Sequence, residues 1–192
     1  MKETAPGAVQ RPMEIDPAVL ARARRGDQRA FALLVRHYDD GLRALAYRLL
    51  GDRDRMDDAL QEAYVRAFRA LPSFRGDSAV GTWLYRIAYN ACIDELRRER
   101  QVVPLESVRE RPDPRPGPGE LLPVRRLLAD ALAALPAPDR AAVLLVDAQG
   151  FDYRSAAEIL GVPEGTVASR LNRTRAVLRR FLSDDLEGAS ER

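Results

Sequence analysis

Cysteine and histidine are nearly absent from this chain of 192 residues, which contains one of each. The single cysteine, Cys92, excludes an internal disulfide and a metal site built from a cysteine cluster. We expect an ordinary surface or core-edge position for the only histidine, His37. No set of residues resembles a catalytic site, so the sequence predicts a protein that is not an enzyme and that holds no metal ion and no cofactor.

Long apolar runs are also missing. None approaches the roughly eighteen residues needed to span a bilayer, and the first residues lack the apolar stretch of a signal peptide. We therefore expect a cytoplasmic protein without membrane insertion. The net charge is only +2, so binding to a nucleic acid would depend on local segregation of charge rather than on a global excess.

Aromatic residues are scarce at 6% of the chain, whereas alanine, leucine and arginine are abundant. Because strands favour β-branched and aromatic residues, this composition predicts an all-α fold. Six of the thirteen prolines lie between Pro104 and Pro123, in a charged stretch that cannot build a core. The sequence thus predicts two small helical domains joined by a proline-rich flexible linker. The expected order is a disordered tail (1–16), a first domain (17–101), the linker (102–123), a second domain (124–184) and a C-terminal tail (185–192).

The last third of the chain has the pattern of a helix-turn-helix. Gly161 fits the end of a short helix, where a left-handed backbone favours glycine, and Pro163 cannot continue that helix but can open the next. The second helix has an apolar seam that we expect to pack inward: Val167, Leu171, Thr174, Leu178 and Phe181. Its opposite face carries Ser169, Asn172, Arg173, Ala176 and Arg180, a composition suited to a DNA major groove. A solvated basic face is the simpler alternative for this segment alone.

The fourth predicted helix, at about 82–100, has two distinct sides. Its apolar side comprises Leu84, Ile87, Ala88, Ala91 and Cys92, and its opposite side Arg86, Asn90, Asp94 and Arg97, with Trp83 at the edge. An amide and cations beside an aromatic ring suit single-stranded nucleic acid. The preceding loop, which contains Phe74 and Arg75, is suited to wrapping an unstacked base. A half-buried core position for Trp83 is an equal alternative.

The third predicted helix, at about 57–71, opens with an acidic, amide-bearing patch. The patch comprises Asp57, Asp58, Gln61 and Glu62, followed by the apolar Tyr64, Val65 and Phe68. Early acids commonly stabilise a helix N-terminus through its dipole. Acids beside exposed apolar residues are equally typical of a surface that docks a protein.

Three of these segments, 57–68, 74–78 and 82–90, resemble the promoter-melting domain of bacterial extracytoplasmic-function sigma factors. Residues 135–170 are similar to the second, promoter-binding domain of that family, and the resemblance covers about residues 17–183. It implies a subunit that binds core RNA polymerase, recognises the minus-35 and minus-10 promoter elements and opens DNA for a stress- or development-related regulon. It also implies an anti-sigma factor as a partner.

The resemblance assigns roles residue by residue. Contacts to the polymerase β′ clamp would come from Asp58, Gln61 and Glu62, and the β flap of the core enzyme would be a further point of contact. Contacts to the minus-10 element would come from Phe74, Arg75, Trp83, Arg86, Asn90, Asp94 and Arg97, with the loop 74–81 holding a flipped base. Contacts to the minus-35 element would come from Ala168, Ser169, Arg170, Asn172, Arg173 and Arg175.

The chain departs from the common family pattern at a few positions. Ala168 and Asn172 replace a basic and a bulky residue, Val80 and Gly81 replace an aromatic pair, and Pro163 replaces a serine cap.

Two alternative functions predict different behaviour. An autonomous helix-turn-helix repressor would dimerise and bind its operator alone, and a helical adaptor would not bind DNA.

Overall fold

The computed structural model describes residues 15–102 and 123–190, and these residues contain helices but no strand. The prediction of an all-α fold is confirmed. Most of the expected N-terminal tail, nearly all of the expected linker and the last two residues lie outside the described residues.

Four helices form the first domain, and aspartate caps mark the starts of the first three. They are α1 (Pro17–Arg24), α2 (Gln28–Leu50), α3 (Arg53–Ala70) and α4 (Val80–Val102), with a 3₁₀ turn at Leu71–Ser73. The side chains of Asp16, Asp27 and Asp52 accept backbone N–H groups of the first turns of α1, α2 and α3 at 2.8, 3.0 and 2.9 Å. Each cap satisfies a donor that has no partner within the helix. The cap at Asp52 explains why α3 starts four residues before the predicted Asp57.

The second domain contains α5 (Pro123–Ala134), α6 (Ala137–Val143), α7 (Tyr153–Leu160) and α8 (Glu164–Ser190). A π-helical turn, Leu144–Ala148, extends α6. Gly161 ends α7 in the left-handed region, at a φ of +65°, as the sequence predicted. The helix α8 continues past residue 184, where the predicted domain ended.

The apolar seam of α8 is buried along most of its length. Val167, Leu171 and Thr174 are at most 1% exposed and Leu178 is 9% exposed. The prediction that Phe181 also packs inward is wrong, because this side chain is 36% exposed. The other helices of the second domain therefore cover the seam only as far as Leu178.

The two domains pack against each other, with α4 against α7 and α2 against α5 and α6. The ring of Tyr85 meets Phe151 edge-on, with centroids 4.8 Å apart, and its hydroxyl donates to Gln149 Oε1 at 3.0 Å. Gln149 Nε2 donates in turn to the carbonyl oxygen of Gly41 at 3.2 Å. The sequence had predicted no relative placement of the domains.

Arg140 adds a buried cation to this interface. It is 6% exposed and donates to the carbonyl oxygens of Arg48 at 2.8 Å, Ala133 at 2.7 Å and Leu135 at 2.9 Å. Arg48 lies in the last turn of α2, where carbonyl groups point out of the helix and carry partial negative charge. The guanidinium thus ties the end of α2 to the connection between α5 and α6.

Candidate nucleic-acid interface

One face of α4 carries an exposed polar stripe. Arg86, Asn90 and Arg97 are exposed, whereas the apolar side predicted for this helix is buried or nearly so. Asp94 lies on the same stripe, is 36% exposed and accepts a bond from Arg66 Nη1 at 2.9 Å. The two-sided character of α4 is therefore confirmed. An amide flanked by two cations can bond a base edge and hold neighbouring phosphates.

The two aromatic rings predicted for this site lie beneath the surface. Phe74 and Trp83 are each 8% exposed, and they pack on each other with centroids 5.2 Å apart and planes tilted by 47°. Of the two alternatives left open for Trp83, the structure shows the core position. Arg75 and Gly76, which follow Phe74 in the chain, are exposed, and Gly76 has a φ of +82°. The loop thus presents a cation and an accessible backbone in the two residues that follow Phe74.

The departure at Val80 and Gly81 has a packing explanation. A Cβ atom at Gly81 would lie 2.9 Å from Cε1 of Tyr38, a core residue of α2. Glycine therefore allows the start of α4 to approach this ring. An aromatic residue at position 81 would require Tyr38 to move.

The acidic face of α3 is only partly as predicted. Asp58 and Gln61 are exposed, and Val65, one turn further on, is 43% exposed. Tyr64 and Phe68 are instead half-buried against α2, where the hydroxyl of Tyr64 and the ring of Phe68 have partners. Val65 is thus the one exposed apolar residue of the three, next to a carboxylate and an amide.

Glu62 belongs to an ion-pair network between α3 and α4. Its carboxylate lies 2.5 Å from Arg66 Nη2 and 3.3 Å from Arg98 Nη2. The hydrogen bond from Arg66 is the largest cause that holds the pKa of Glu62 below its usual value. Through Arg66 the network extends to Asp94 on the α4 stripe. The predicted polymerase-binding and minus-10 residues therefore share a guanidinium.

The outer face of α8 presents the predicted minus-35 residues in two groups. Ser169, Asn172 and Arg173 are exposed, and Ala168, directly before Ser169, is partly exposed. The hydroxyl of Ser169 donates to the carbonyl oxygen of Thr166 at 3.0 Å. Arg170 and Arg175 lie nearer the body of the domain, with side chains 21% and 38% exposed.

Carboxylates of the α6 segment hold all three arginines. Asp139 lies 2.7 Å from Arg173 and 3.6 Å from Arg170. Asp147 accepts two bonds from Arg175, at 2.5 and 3.0 Å, which raise the pKa of that guanidinium. Neither Asp139 nor Asp147 is among the site residues predicted from the sequence. The sequence marks them only as acidic residues near the beginning and the end of the helical segment that precedes the helix-turn-helix.

In the parts of the chain that the structure describes, no helix is long and apolar enough to cross a bilayer. Within the same residues, no three histidine, cysteine or acidic side chains are arranged to hold a metal ion.

Two family models match separate parts of the chain. Sigma-70 region 2 matches residues 34–102, which span most of α2 through α4. Sigma-70, region 4 matches residues 125–178, which span α5 through most of α8. The two matches thus fall on the two packed halves of the structure.

Several characterised proteins are similar over most of the chain. The ECF RNA polymerase sigma factor SigM of Mycobacterium tuberculosis is 43% identical over 169 residues, which cover 87% of this chain and 84% of that protein. The RNA polymerase sigma-H factor of Pseudomonas aeruginosa is 36% identical, with coverage of 92% and 98%. The ECF RNA polymerase sigma-E factor of Escherichia coli is 35% identical, with coverage of 85% and 92%.

Two solved structures align with most of the chain, and one of them is a sigma factor bound to an anti-sigma factor. CnrH in complex with the cytosolic domain of CnrY aligns with a TM-score of 0.67 at 27% identity, over 88% of this chain and 97% of that chain. RpoE of Bartonella quintana in complex with the anti-sigma factor NepR aligns with a TM-score of 0.66 at 31% identity, over 80% and 96%. Together with the two matched regions and the relatives in three bacteria, this likeness shows that the chain belongs to the ECF RNA polymerase sigma factors of the sigma-70 family.

Proposed function

We propose that this sigma factor guides core RNA polymerase to promoters through two exposed surfaces, one on each domain, and that it promotes DNA melting there for a specific regulon. It acts in the cytoplasm as a specificity subunit without catalytic activity of its own. The observation that carries the proposal is the exposure of both the α4 stripe and the outer face of α8 in a member of this family.

Docking on the polymerase β′ clamp is assigned to the acidic face of α3. Asp58 and Gln61 provide exposed polar groups, and Val65 provides apolar area next to them. An apolar centre with a polar rim is the usual composition of a protein interface. Glu62 contributes less directly, because its charge is already matched by Arg66 and Arg98. The second domain is assigned to the β flap.

Capture of melted minus-10 bases is assigned to the α4 stripe and the loop before it. Asn90 offers an amide for a base edge, and Arg75, Arg86 and Arg97 offer cations for the backbone. Phe74 and Trp83 pack on each other in the core behind this surface and hold the start of the loop in place. Unstacking a base costs a few kcal/mol, and each captured base returns about 1–3 kcal/mol, so melting depends on the promoter sequence and on the polymerase.

Recognition of the minus-35 element is assigned to the start of α8 in the major groove. Ser169, Asn172 and Arg173 are exposed there and offer hydroxyl, amide and guanidinium groups to base edges. Ala168 leaves room for close approach of the helix. Arg170 and Arg175 contact phosphates from its flank.

A protein partner in the anti-sigma class is also proposed. The support comes from RpoE of Bartonella quintana, a sigma factor with the same fold that is in complex with the anti-sigma factor NepR in its solved structure. Co-purification of such a partner from the native bacterium, and its displacement by core polymerase, would test this part separately.

The decisive experiment is run-off transcription with purified chain, bare core polymerase and a library of promoter templates. The proposal predicts specific transcripts that need both the chain and the core enzyme. Tight DNA binding by a dimer without polymerase would favour an autonomous repressor. An absence of transcripts together with salt-insensitive behaviour on DNA would favour a helical adaptor.

A further inference from the structure

Asp139 is an acid of the second domain that points at α8 from the first turn of α6. Its residue is 7% exposed, and its backbone N–H bonds to the carbonyl oxygen of Pro136 at 3.0 Å. A negative charge in the first turn of a helix is stabilised by the helix dipole. The carboxylate of Asp139 is therefore held in place by α6. No DNA contact is assigned to this helix.

Two arginines one turn apart on α8 share this carboxylate, one on each oxygen. Arg173 Nη2 lies 2.7 Å from Oδ2, and Arg170 Nε lies 3.6 Å from Oδ1. The two guanidinium groups differ in exposure, since Arg170 is 21% exposed and Arg173 is 67% exposed. Arg170 thus completes the anchoring of Asp139, whereas most of Arg173 stands free above the helix surface.

The bond to Asp139 leaves Arg173 with unused donors. A guanidinium has five N–H groups in a fixed planar arrangement, and the bond from Nη2 to Oδ2 uses one of them. Two parallel N–H groups are sufficient for a bidentate contact to O6 and N7 of guanine. An arginine without such a bond samples many rotamers and loses that freedom when it binds. An arginine already held by a carboxylate loses less.

We propose that Asp139 is a positioning residue that orients Arg173 as a guanine reader in the minus-35 element. This inference rests on the proposed function. It adds that Arg173 recognises guanine and that Asp139 sets this base preference. An alternative role, in which Asp139 only stabilises the domain, predicts no dependence on Arg173. A sequestering role predicts that removal of the carboxylate strengthens recognition.

The test compares base preferences of reconstituted holoenzymes. Core polymerase is combined with the full chain carrying no substitution, Asp139→Asn, Arg173→Ala or both, and each holoenzyme selects from promoter DNA with a randomised upstream element. Sequencing of the bound DNA gives the preference at every position. Glu158→Gln is the control, because it removes one carboxylate from an exposed ion pair with Arg154 in the same domain. Thermal unfolding of each free chain is measured in parallel.

We expect a guanine preference of about tenfold or more at one position, which Arg173→Ala abolishes. Asp139→Asn should reduce that preference at least threefold at the same position and leave the others intact. In the Arg173→Ala background Asp139→Asn should have no further effect on base preference. The control should shift affinity for all sequences alike.

Three outcomes overturn the inference: a guanine preference unchanged in Asp139→Asn, a loss spread over all positions, or an effect of equal size in the Arg173→Ala background. If Asp139→Asn does not fold, Asp139→Glu carries the same test, because it keeps the charge and displaces the carboxylate by one methylene. A wild-type holoenzyme without base preference anywhere in the element contradicts the proposed minus-35 recognition itself. Retained preference in the variant contradicts only the role of Asp139.

Discussion

Replacing Gly41 by alanine places a methyl group where side-chain atoms already lie. A Cβ atom at this position of α2 would be 1.9 Å from the hydroxyl oxygen of Tyr85 and 2.8 Å from Oε1 of Gln149. Tyr85 is 2% exposed and packs against Phe151, so its ring has little room to withdraw. The hydroxyl would have to retreat by about 1.5 Å to restore an ordinary contact.

The expected energy change combines one gain with two losses that together exceed it. Alanine in a helix interior is about 1 kcal/mol more favourable than glycine. Overpacking a core costs about 1–3 kcal/mol, and loss of the hydrogen bond from Tyr85 to Gln149 costs about 0.5–1.5 kcal/mol more. We therefore expect Gly41→Ala to lower the free energy of unfolding by about 2 kcal/mol, although helix propensity alone predicts the opposite sign.

A double-mutant cycle in urea unfolding isolates the close contact. Tyr85→Phe removes the hydroxyl oxygen, and the nearest atom of that ring to the new methyl group is then Cζ, at 3.2 Å. In the Tyr85→Phe background the methyl group still lies 2.8 Å from Gln149 Oε1, so Gly41→Ala should cost less than in the wild-type chain but not nothing, which gives a coupling of at least about 1 kcal/mol. Gly165→Ala is the matched control, because a Cβ there meets nothing within 4 Å and should be neutral or stabilising.

Additive effects of Gly41→Ala and Tyr85→Phe would refute the reasoning, because residues out of contact show no coupling. A second cycle extends the test to the domain interface. Tyr85 belongs to the first domain and Gln149 to the second, and the two are hydrogen-bonded at 3.0 Å. Coupling between Tyr85→Phe and Gln149→Ala is expected only where the domains are docked as described.

Three further predictions concern the surfaces and the buried thiol. Asn90→Ala should lower open-complex formation at least about fivefold by loss of one base contact, with polymerase association unchanged; an equal loss of both would contradict the assignment. Asp58→Lys should abolish co-purification with core polymerase, whereas Asp40→Lys on the exposed surface of α2 should not. If both variants still co-purify with the polymerase, the acidic face of α3 is not its docking surface. Burial raises the pKa of the Cys92 thiol to about 12, so at pH 8 a thiol reagent should modify the native chain about a thousandfold more slowly than the unfolded chain. Rapid labelling in native buffer would show that α4 is not packed as described.

Local signals in the sequence were sufficient for most helix bounds. Gly51 and Gly161 end α2 and α7 in the left-handed region, as expected for residues without a Cβ. The start of α3 was misplaced because Asp52 was not recognised as its cap. The two-sided pattern of α4 was also sufficient to assign its exposed stripe, since faces of a helix follow from spacing alone.

Burial of single side chains at the ends of a pattern was less predictable. Trp83 lies at the edge of the α4 stripe and Phe181 at the end of the α8 seam, and each required knowledge of what covers it. Phe74 arrives from a loop to cover Trp83, whereas the cover of the α8 seam ends at Leu178. Helical periodicity predicts the direction in which a side chain points. It does not predict how far the neighbouring segment extends to cover that side chain.

The ion pairs of α8 could not be derived from its own sequence, because the acids that hold its arginines lie far away in the chain. Asp139 precedes Arg173 by 34 positions, and Asp147 precedes Arg175 by 28. Each pairing depends on the register of α6 against α8. Burial of the seam at Val167, Leu171 and Thr174 sets this register, and charge does not. The apolar seam therefore determines which arginines the acids hold. The polar face that meets DNA depends in this way on the buried face behind it, so a repacking substitution in the seam should alter base preference without touching a DNA contact.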